Sequence, residues 1–313
     1  MSLDYLAVVL VTLSIYAILV VSLNIVAGYA GQPNLAQGAF FGIGSYFAAV
    51  LSTHYGWSFW ATIPAALATA GLAGLVLGAI SLRLREDFLA VTTIGLNFVV
   101  VAMFQYVPFF GGAVGVYAIP LPSIGAHQFG NGDFLAVGLA MLVSVAGLSW
   151  YLERTWFGAA LLAIKDDEAA AAATGIPVAP YKISAFVLSS GLGGLAGALY
   201  APFISAVTPT SFGFSESVVI LAMLMFGGIG VIAGAVAGAV TLGALPEVFR
   251  FISDYRLLAF GAILVLMLRF QPQGLFGVDS GTLRAVRRAA RRLAGRDGPA
   301  GGPGKARGSG GPA

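Results

Sequence analysis

Residues 5–27 read YLAVVLVTLSIYAILVVSLNIVA, an apolar run without a single Lys, Arg, Asp or Glu. About 20 such residues carry a helix across a bilayer. The charge-free stretch continues well past them, from Tyr5 to Leu82. No single helix uses up that length, so the stretch has to cross several times. The 313-residue chain is 58% hydrophobic and 9% charged, with a mean hydropathy of +0.92. Soluble domains carry about 25% charged residues. The sequence therefore predicts an all-α polytopic membrane protein. Its 43 glycines suit a bundle in lipid, where small residues let backbones approach. Cysteine is absent, which excludes disulfides, thiolate chemistry and zinc–thiolate sites.

Charged clusters divide the chain into about nine spans (eight to ten), at 5–27, 35–53, 57–82, 88–108, 134–152, 181–204, 216–228, 231–250 and 256–271. Met1-Ser2-Leu3-Asp4 lacks a basic n-region, so the first span reads as retained rather than as a signal peptide. Arg83 and Arg85 occupy a tight turn, and Arg154, Lys165 and Lys182 a central loop. Eight of the 16 Lys and Arg residues follow Asp279. Basic loops face the cytoplasm, which places all three regions there, with the C-terminus. That cluster follows a hydrophobic span directly, so it reads as juxtamembrane and not as a nucleic-acid site. Val107–Gly132 has no Lys or Arg and holds Gly111-Gly112, Pro120 and Pro122, as expected of an outer loop. The N-terminus, carrying only Asp4, falls outside as well. Parity then requires three crossings between 181 and the tail, which forces a break at Gly227-Gly228-Ile229-Gly230. The transmembrane domain covers 1–277. Residues 278–313 form a basic, Gly/Pro-rich tail, disordered at its end.

Glycines four apart recur at Gly38/Gly42, Gly74/Gly78, Gly193/Gly197 and Gly230/Gly234/Gly238. Each pair shares a helix face, either as ordinary close packing or as a moving interface. Polar residues on apolar spans, namely Asn24, Gln32, Asn34, Gln37, Thr92, Thr93 and Asn97, are candidates for a substrate pathway. They serve equally as interhelical hydrogen bonds, worth about 0.6 kcal/mol each.

The long loop at 153–181 carries more information. An apolar helix is expected over about 157–164, then a second one opened by Asp166 or Asp167. Such a carboxylate accepts backbone N–H bonds and complements the helix dipole. Ala169 to Ala173 are strong helix formers. Gly175 is placed for the left-handed C-terminal position, and Pro177 prevents continuation. A short helix with charge at its start and small residues along its body can enter a groove on a soluble partner.

Here the sequence resembles a known family. Arg154 and Gly158, then Ala163-Ile164-Lys165-Asp166-Asp167-Glu168-Ala169-Ala170 and Gly175-Ile176, are similar to the coupling loop of branched-chain amino acid ABC permeases. Other stretches agree: Gly28-Tyr29-Ala30-Gly31-Gln32, Gly194-Leu195-Ala196-Gly197, Gly227-Gly228-Ile229-Gly230 and Arg269-Phe270-Gln271-Pro272-Gln273-Gly274-Leu275. The resemblance covers about 20–277, nearer the LivM-type than the LivH-type subunit. It implies an ABC importer permease fold with a cytoplasmic coupling helix, in a multi-pass protein of the bacterial cytoplasmic membrane. It implies a LivH-type second permease, two ATP-binding subunits holding ATP and Mg, and an extracytoplasmic substrate-binding protein. Pro33-Asn34-Leu35-Ala36-Gln37 departs from the family's usual Leu-Ser-Leu-Gly-His, which leaves urea or short amides open as cargo.

No Gly-x-x-x-x-Gly-Lys-[Ser/Thr] loop exists to cradle a phosphate, so this chain is expected to bind no cofactor itself. His54 and His127 lie far apart and read as interfacial side chains. An ion-coupled secondary transporter is the rival class, and it usually places ionisable residues within its spans. Glu216 and Glu247 are the candidates, both read as interfacial. Orientation is directly testable in this Cys-free chain. A cysteine placed at position 166 should resist impermeant maleimide in intact cells and react after permeabilisation. Labelling in intact cells would invert the topology.

Overall fold

The computed structural model describes residues 3–84, 86–124 and 127–248. The span expected at 256–271, Arg85 and the basic tail lie outside them. Helix α1 (Leu3–Leu23) runs into a π-helical turn (Asn24–Tyr29), and irregular chain leads to α2 (Gln37–His54). Then come α3 (Phe59–Ser81), α4 (Glu86–Tyr106), α5 (Asn131–Arg154), α6 (Trp156–Asp166), α7 (Glu168–Ala173), α8 (Val178–Ile204), α9 (Phe214–Gly227) and α10 (Ile232–Val248). Among the described residues, six stretches are long and apolar enough to span by composition: Asp4–Tyr29, Phe59–Ser81, Asp87–Tyr106, Asn131–Arg154, Val178–Ile204 and Pro209–Gly227. Helix α2 is not one of them, because Gln37, Ser45, Ser52 and His54 lower its hydropathy. It is nonetheless buried along most of its length, enclosed by other helices rather than by lipid.

Side-chain contacts set the helix directions. Gly74 and Gly78 on α3 face Phe186, Ser190 and Ile183 on α8, an antiparallel order. Gly138 on α5 faces Ser14, and Tyr29 Oη lies 3.0 Å from Ser149 Oγ, so α1 and α5 run parallel. Gly227 faces Gly234 and Gly238, while Gly238 faces Met223, which makes α9 and α10 a tight antiparallel pair. The expected break between them is present. Gly228 and Gly230 adopt φ of 118° and 86°, a region that side chains rarely enter.

Direction alternates along the chain, which sorts the connections into two ends. One end gathers residues 30–36, the α3–α4 turn with Arg83, the α5–α8 segment and the α9–α10 break. The other holds 55–58, 107–124, 127–130 and 205–208 and carries no Lys or Arg among its described residues. The charge asymmetry read from sequence thus survives in three dimensions. The uncharged loop also departs from a purely helical fold. Strand β1 (Val116–Tyr117) pairs with β4 (Ala206–Val207), and β2 (Ser123–Ile124) with β3 (His127–Gln128), both antiparallel.

The glycine spacing marks close packing. A Cβ on Gly194 of α8 would lie 2.4 Å from the Ala70 Cβ and 2.6 Å from the Ala66 carbonyl on α3. One on Gly44 of α2 would lie 2.2 Å from the Gly194 carbonyl. Helix α8 is therefore wedged between α2 and α3 at backbone contact, and lipid-buried helices gain most of their association from such packing. Gly194→Val should cost on the order of 1–3 kcal/mol through overpacking and lower the melting midpoint in detergent. Gly147→Ala on α5, where a Cβ meets nothing within 4 Å, should be neutral or stabilise by about 1 kcal/mol. Equal effects from both would contradict the wedge.

Candidate functional site

The expected two-helix loop forms as α6 and α7. Gly158 allows α6 to fold back on α5, since a Cβ there would lie 2.5 Å from the Leu152 carbonyl. Leu161 and Ile164 are buried against the bundle, whereas Trp156 is 83% exposed. Asp167 caps α7, accepting from the Ala170 N–H at 3.0 Å. At the far end Gly175 takes φ 90°, with Gly175 N–H donating to Ala172 O (3.0 Å) and Ile176 N–H to Ala171 O (3.1 Å). These bonds make a Schellman closure. Asp166, Asp167, Ala169 and Ala170 remain exposed. Ala170 therefore lies in the capped first turn, where a proline would remove the cap bond rather than an interior helix bond.

Three loop residues are engaged within the chain. Glu168 forms an ion pair with Lys182, a buried lysine on α8, so it is not a free docking charge. The Arg154 guanidinium stacks 4.1 Å from the Trp150 ring centroid. Lys165 Nζ donates to the Gly28 carbonyl at 2.8 Å, inside the π-turn that ends the first span. Its Cγ also fills the space beside Gly31, where a Cβ would come within 2.7 Å.

That π-turn opens a seam of polar contacts. Asn24 Oδ1 accepts from the Gly230 N–H at 2.8 Å, joining the first span to the α9–α10 break. The start of α2 is buried with its N–H groups unpaired by any helix, and side chains supply the acceptors. Ala36 N–H reaches Asn34 Oδ1 (2.9 Å), Leu35 N–H reaches Thr93 Oγ1 (3.1 Å), and Gly38 N–H reaches Ser217 Oγ (2.8 Å). Gln37 Nε2 donates to Ser22 Oγ at 2.7 Å, and Asn97 Nδ2 to Ser217 Oγ at 3.0 Å.

The seven polar candidates thus divide. Asn24, Asn34, Gln37, Thr93 and Asn97 converge on this buried seam. Gln32 is buried beside them and reaches only the Ala30 carbonyl (3.4 Å). Thr92 bonds within its own helix, to Phe88 O at 2.8 Å. Gln32, Asn34 and Gly31 line a cleft of ≈ 360 Å³ with Asp87 and Ile229, at the basic end.

Sequence reasoning passed over Ser217, whose hydroxyl satisfies two donors, and over the inward reach of Lys165 and Lys182. An isolated serine on an apolar helix carries no spacing signal. Glu216 is also placed differently from the interfacial reading. Its Oε1 is buried without a hydrogen-bond partner, in the first turn of α9. The side chain of Glu247 lies outside the described residues.

The family model described as branched-chain amino acid transport system / permease component matches residues 5–268. The chain is 32% identical to the high-affinity branched-chain amino acid transport system permease protein LivM of Escherichia coli, over 88% of this chain and 71% of that protein. The LivM protein of Salmonella typhimurium is 33% identical, over 83% of this chain and 67% of its own length. A probable LivH permease of Methanocaldococcus jannaschii is 27% identical, over 79% of this chain and 84% of its length. No solved structure matches.

Ser217→Ala should strand the buried Gly38 N–H and the Asn97 amide, each costing about 1–3 kcal/mol. The melting midpoint in detergent should fall clearly, while Thr92→Val should leave it nearly unchanged. Equal midpoints for the two variants would remove Ser217 from its place as organiser of the seam.

Proposed function

The chain belongs to the branched-chain amino acid transport permease family, and on that premise we propose that it moves branched-chain, hydrophobic amino acids through an ATP-driven importer. It is a transport subunit and not an enzyme. ATP is hydrolysed on two separate subunits, a LivH-type permease completes the pathway, and an extracytoplasmic binding protein delivers the cargo. The α6–α7 segment faces the cytoplasm and docks on the ATPases, presenting Trp156, Asp166, Asp167, Ala169 and Ala170.

One observation carries this reading: the Lys165 bond to the Gly28 carbonyl. A docking element transmits work only if it is tied to the part that moves. Lys165 ties α6 to the π-turn of the first span, and Asn24 continues the line to the α9–α10 break. The Glu168–Lys182 pair ties α7 to α8 in the same way. A push on the loop therefore reaches the two places where the spans are already interrupted. The uncharged polar seam suits a zwitterion with an apolar side chain, which brings no net charge into the bundle.

Lys165→Met keeps the stem and removes the donor. A hydrogen bond to a charged group contributes about 1.5–3 kcal/mol, so its loss corresponds to roughly tenfold or more in coupled uptake. The variant should still assemble with both ATPases, because the docking surface is untouched. The measurement is ATP-dependent leucine uptake by the reconstituted complex. Wild-type uptake by Lys165→Met would sink the coupling line.

A further inference from the structure

The cleft at the basic end lies between two interruptions of the helices. It is lined by the irregular chain from Gly31 to Leu35 that follows the π-turn, by Ile229 in the α9–α10 break, and by Asp87 and Ala90 of α4. Its ≈ 360 Å³ falls at the small end of the range for small-molecule sites. The chain that shapes it is held by its own bonds. Gly31 takes φ 65°, and Leu35 N–H donates to Thr93 Oγ1 at 3.1 Å. Asn34 accepts from the Ala36 N–H through Oδ1 (2.9 Å) and donates through Nδ2 to Gln37 Oε1 (3.3 Å).

Gln32 is the polar side chain left over. It is only 4% exposed. Its Nε2 donates to the Ala30 carbonyl at 3.4 Å, which fixes the orientation of the amide, and its Oε1 accepts no hydrogen bond. Unlike Asn97 Oδ1, that oxygen is not sealed off by protein, and Gln32 borders the cleft. A side chain buried to this degree normally has its polar atoms paired, so what Oε1 lacks is a donor entering the cleft. Asp87 lines the same cleft, exposed in the first turn of α4 and without an ion pair among the described residues.

The rest of the lining is largely apolar, with Ala27, Leu35, Ala90, Leu221 and Ile229, and no Lys, Arg or His takes part in it. A carboxylate and an amide oxygen without a cation select an N–H donor, best a cationic one. The apolar remainder selects a hydrocarbon group attached to that donor. A net-negative solute would meet Asp87 with no compensating charge. Because Asp87 is exposed, its attraction is weak, as suits a place from which cargo leaves.

We infer that this cleft is the cytoplasmic release site of the translocated amino acid, with the α-ammonium group taken by Asp87 and Gln32 Oε1 and the side chain by Leu221 and Ile229. An ammonium offers three donors, enough for both acceptors. The site also borders the segments that the loop is tied to, since Lys165 packs its stem beside Gly31 and Asn24 holds Gly230 next to Ile229. The inference rests on the proposed cargo and deepens it.

The test is protection from chemical modification in this Cys-free chain. The complete transporter carries Ala90→Cys, at a half-buried position in the lining, and maleimide incorporation into this chain is timed with and without millimolar solute. Leucine and leucinamide, which share the ammonium group, should slow the labelling severalfold. Isocaproate, which keeps the hydrocarbon and the carboxylate but lacks the ammonium, should not. Adding Gln32→Leu should weaken leucine's protection about tenfold, and Asp87→Asn should weaken it less, as an exposed charge does. Asp87→Asn and the isocaproate comparison keep the test decisive where Gln32→Leu disturbs folding. No protection by leucine, equal protection by isocaproate, or full protection in either variant overturns the inference. So does protection by sodium chloride alone, which would assign the cleft to an inorganic cation. A transporter that imports leucine without this protection overturns the site alone, whereas one that imports no amino acid overturns the cargo reading, and the site with it.

Discussion

A backbone N–H or C=O group inside a membrane protein has no water to turn to, and each one left unpaired costs several kcal/mol. The structure depends on how that constraint is met where helices stop inside the bundle. The first span ends in a π-turn, α2 starts on buried N–H groups, and α9 and α10 are separated by a glycine break. At each place a side chain from elsewhere in the sequence supplies the missing partner. Asn24 serves the break through Gly230, Thr93 and Ser217 serve the start of α2, and Lys165 serves the end of the first span. Irregular backbone at membrane depth is tolerated only where protein encloses it in this way.

The same bonds join the interrupted helices to one another. Helices held by backbone contact, such as α8 between α2 and α3, have no room to adjust singly. Tightly packed interiors of this kind transmit strain rather than absorb it. A loop anchored to a break by a charged hydrogen bond is therefore in a different mechanical position from one anchored to the middle of a helix. Glu168 and Lys165 are held within the chain, while Asp166, Asp167, Ala169 and Ala170 remain exposed around the start of α7.

Burial also separates the helices by role. Helices α4 and α5 are only 28% and 17% buried over their apolar windows, against 67% for α8. The exposed sides of α4 and α5 are apolar, as lipid or a neighbouring membrane subunit requires. The polar groups have been drawn instead to the seam between α1, α2, α4 and α9.

The sequence by itself determined the class, the six apolar stretches that the described residues contain, the break at Gly227-Gly228-Ile229-Gly230 and the two helices of the loop. Each of those rests on local chemistry: a long charge-free run, glycines that accept positive φ, an aspartate cap, and Gly175 ahead of Pro177. It also identified most of the polar residues that count, because a polar side chain in an apolar span has to be there for a reason. Only the tertiary structure decided what those residues touch. Asn24 and Gly230 are 206 positions apart, Gly38 and Ser217 are 179, and Lys165 and Gly28 are 137. Contacts of that range leave no periodicity in a single chain, since nothing local distinguishes a lysine aimed at a partner from one aimed inward. The depth of Glu216 was hidden for the same reason. Its position in sequence marks the start of a helix, and only the packing of α9 against α2 carries that start into the bundle.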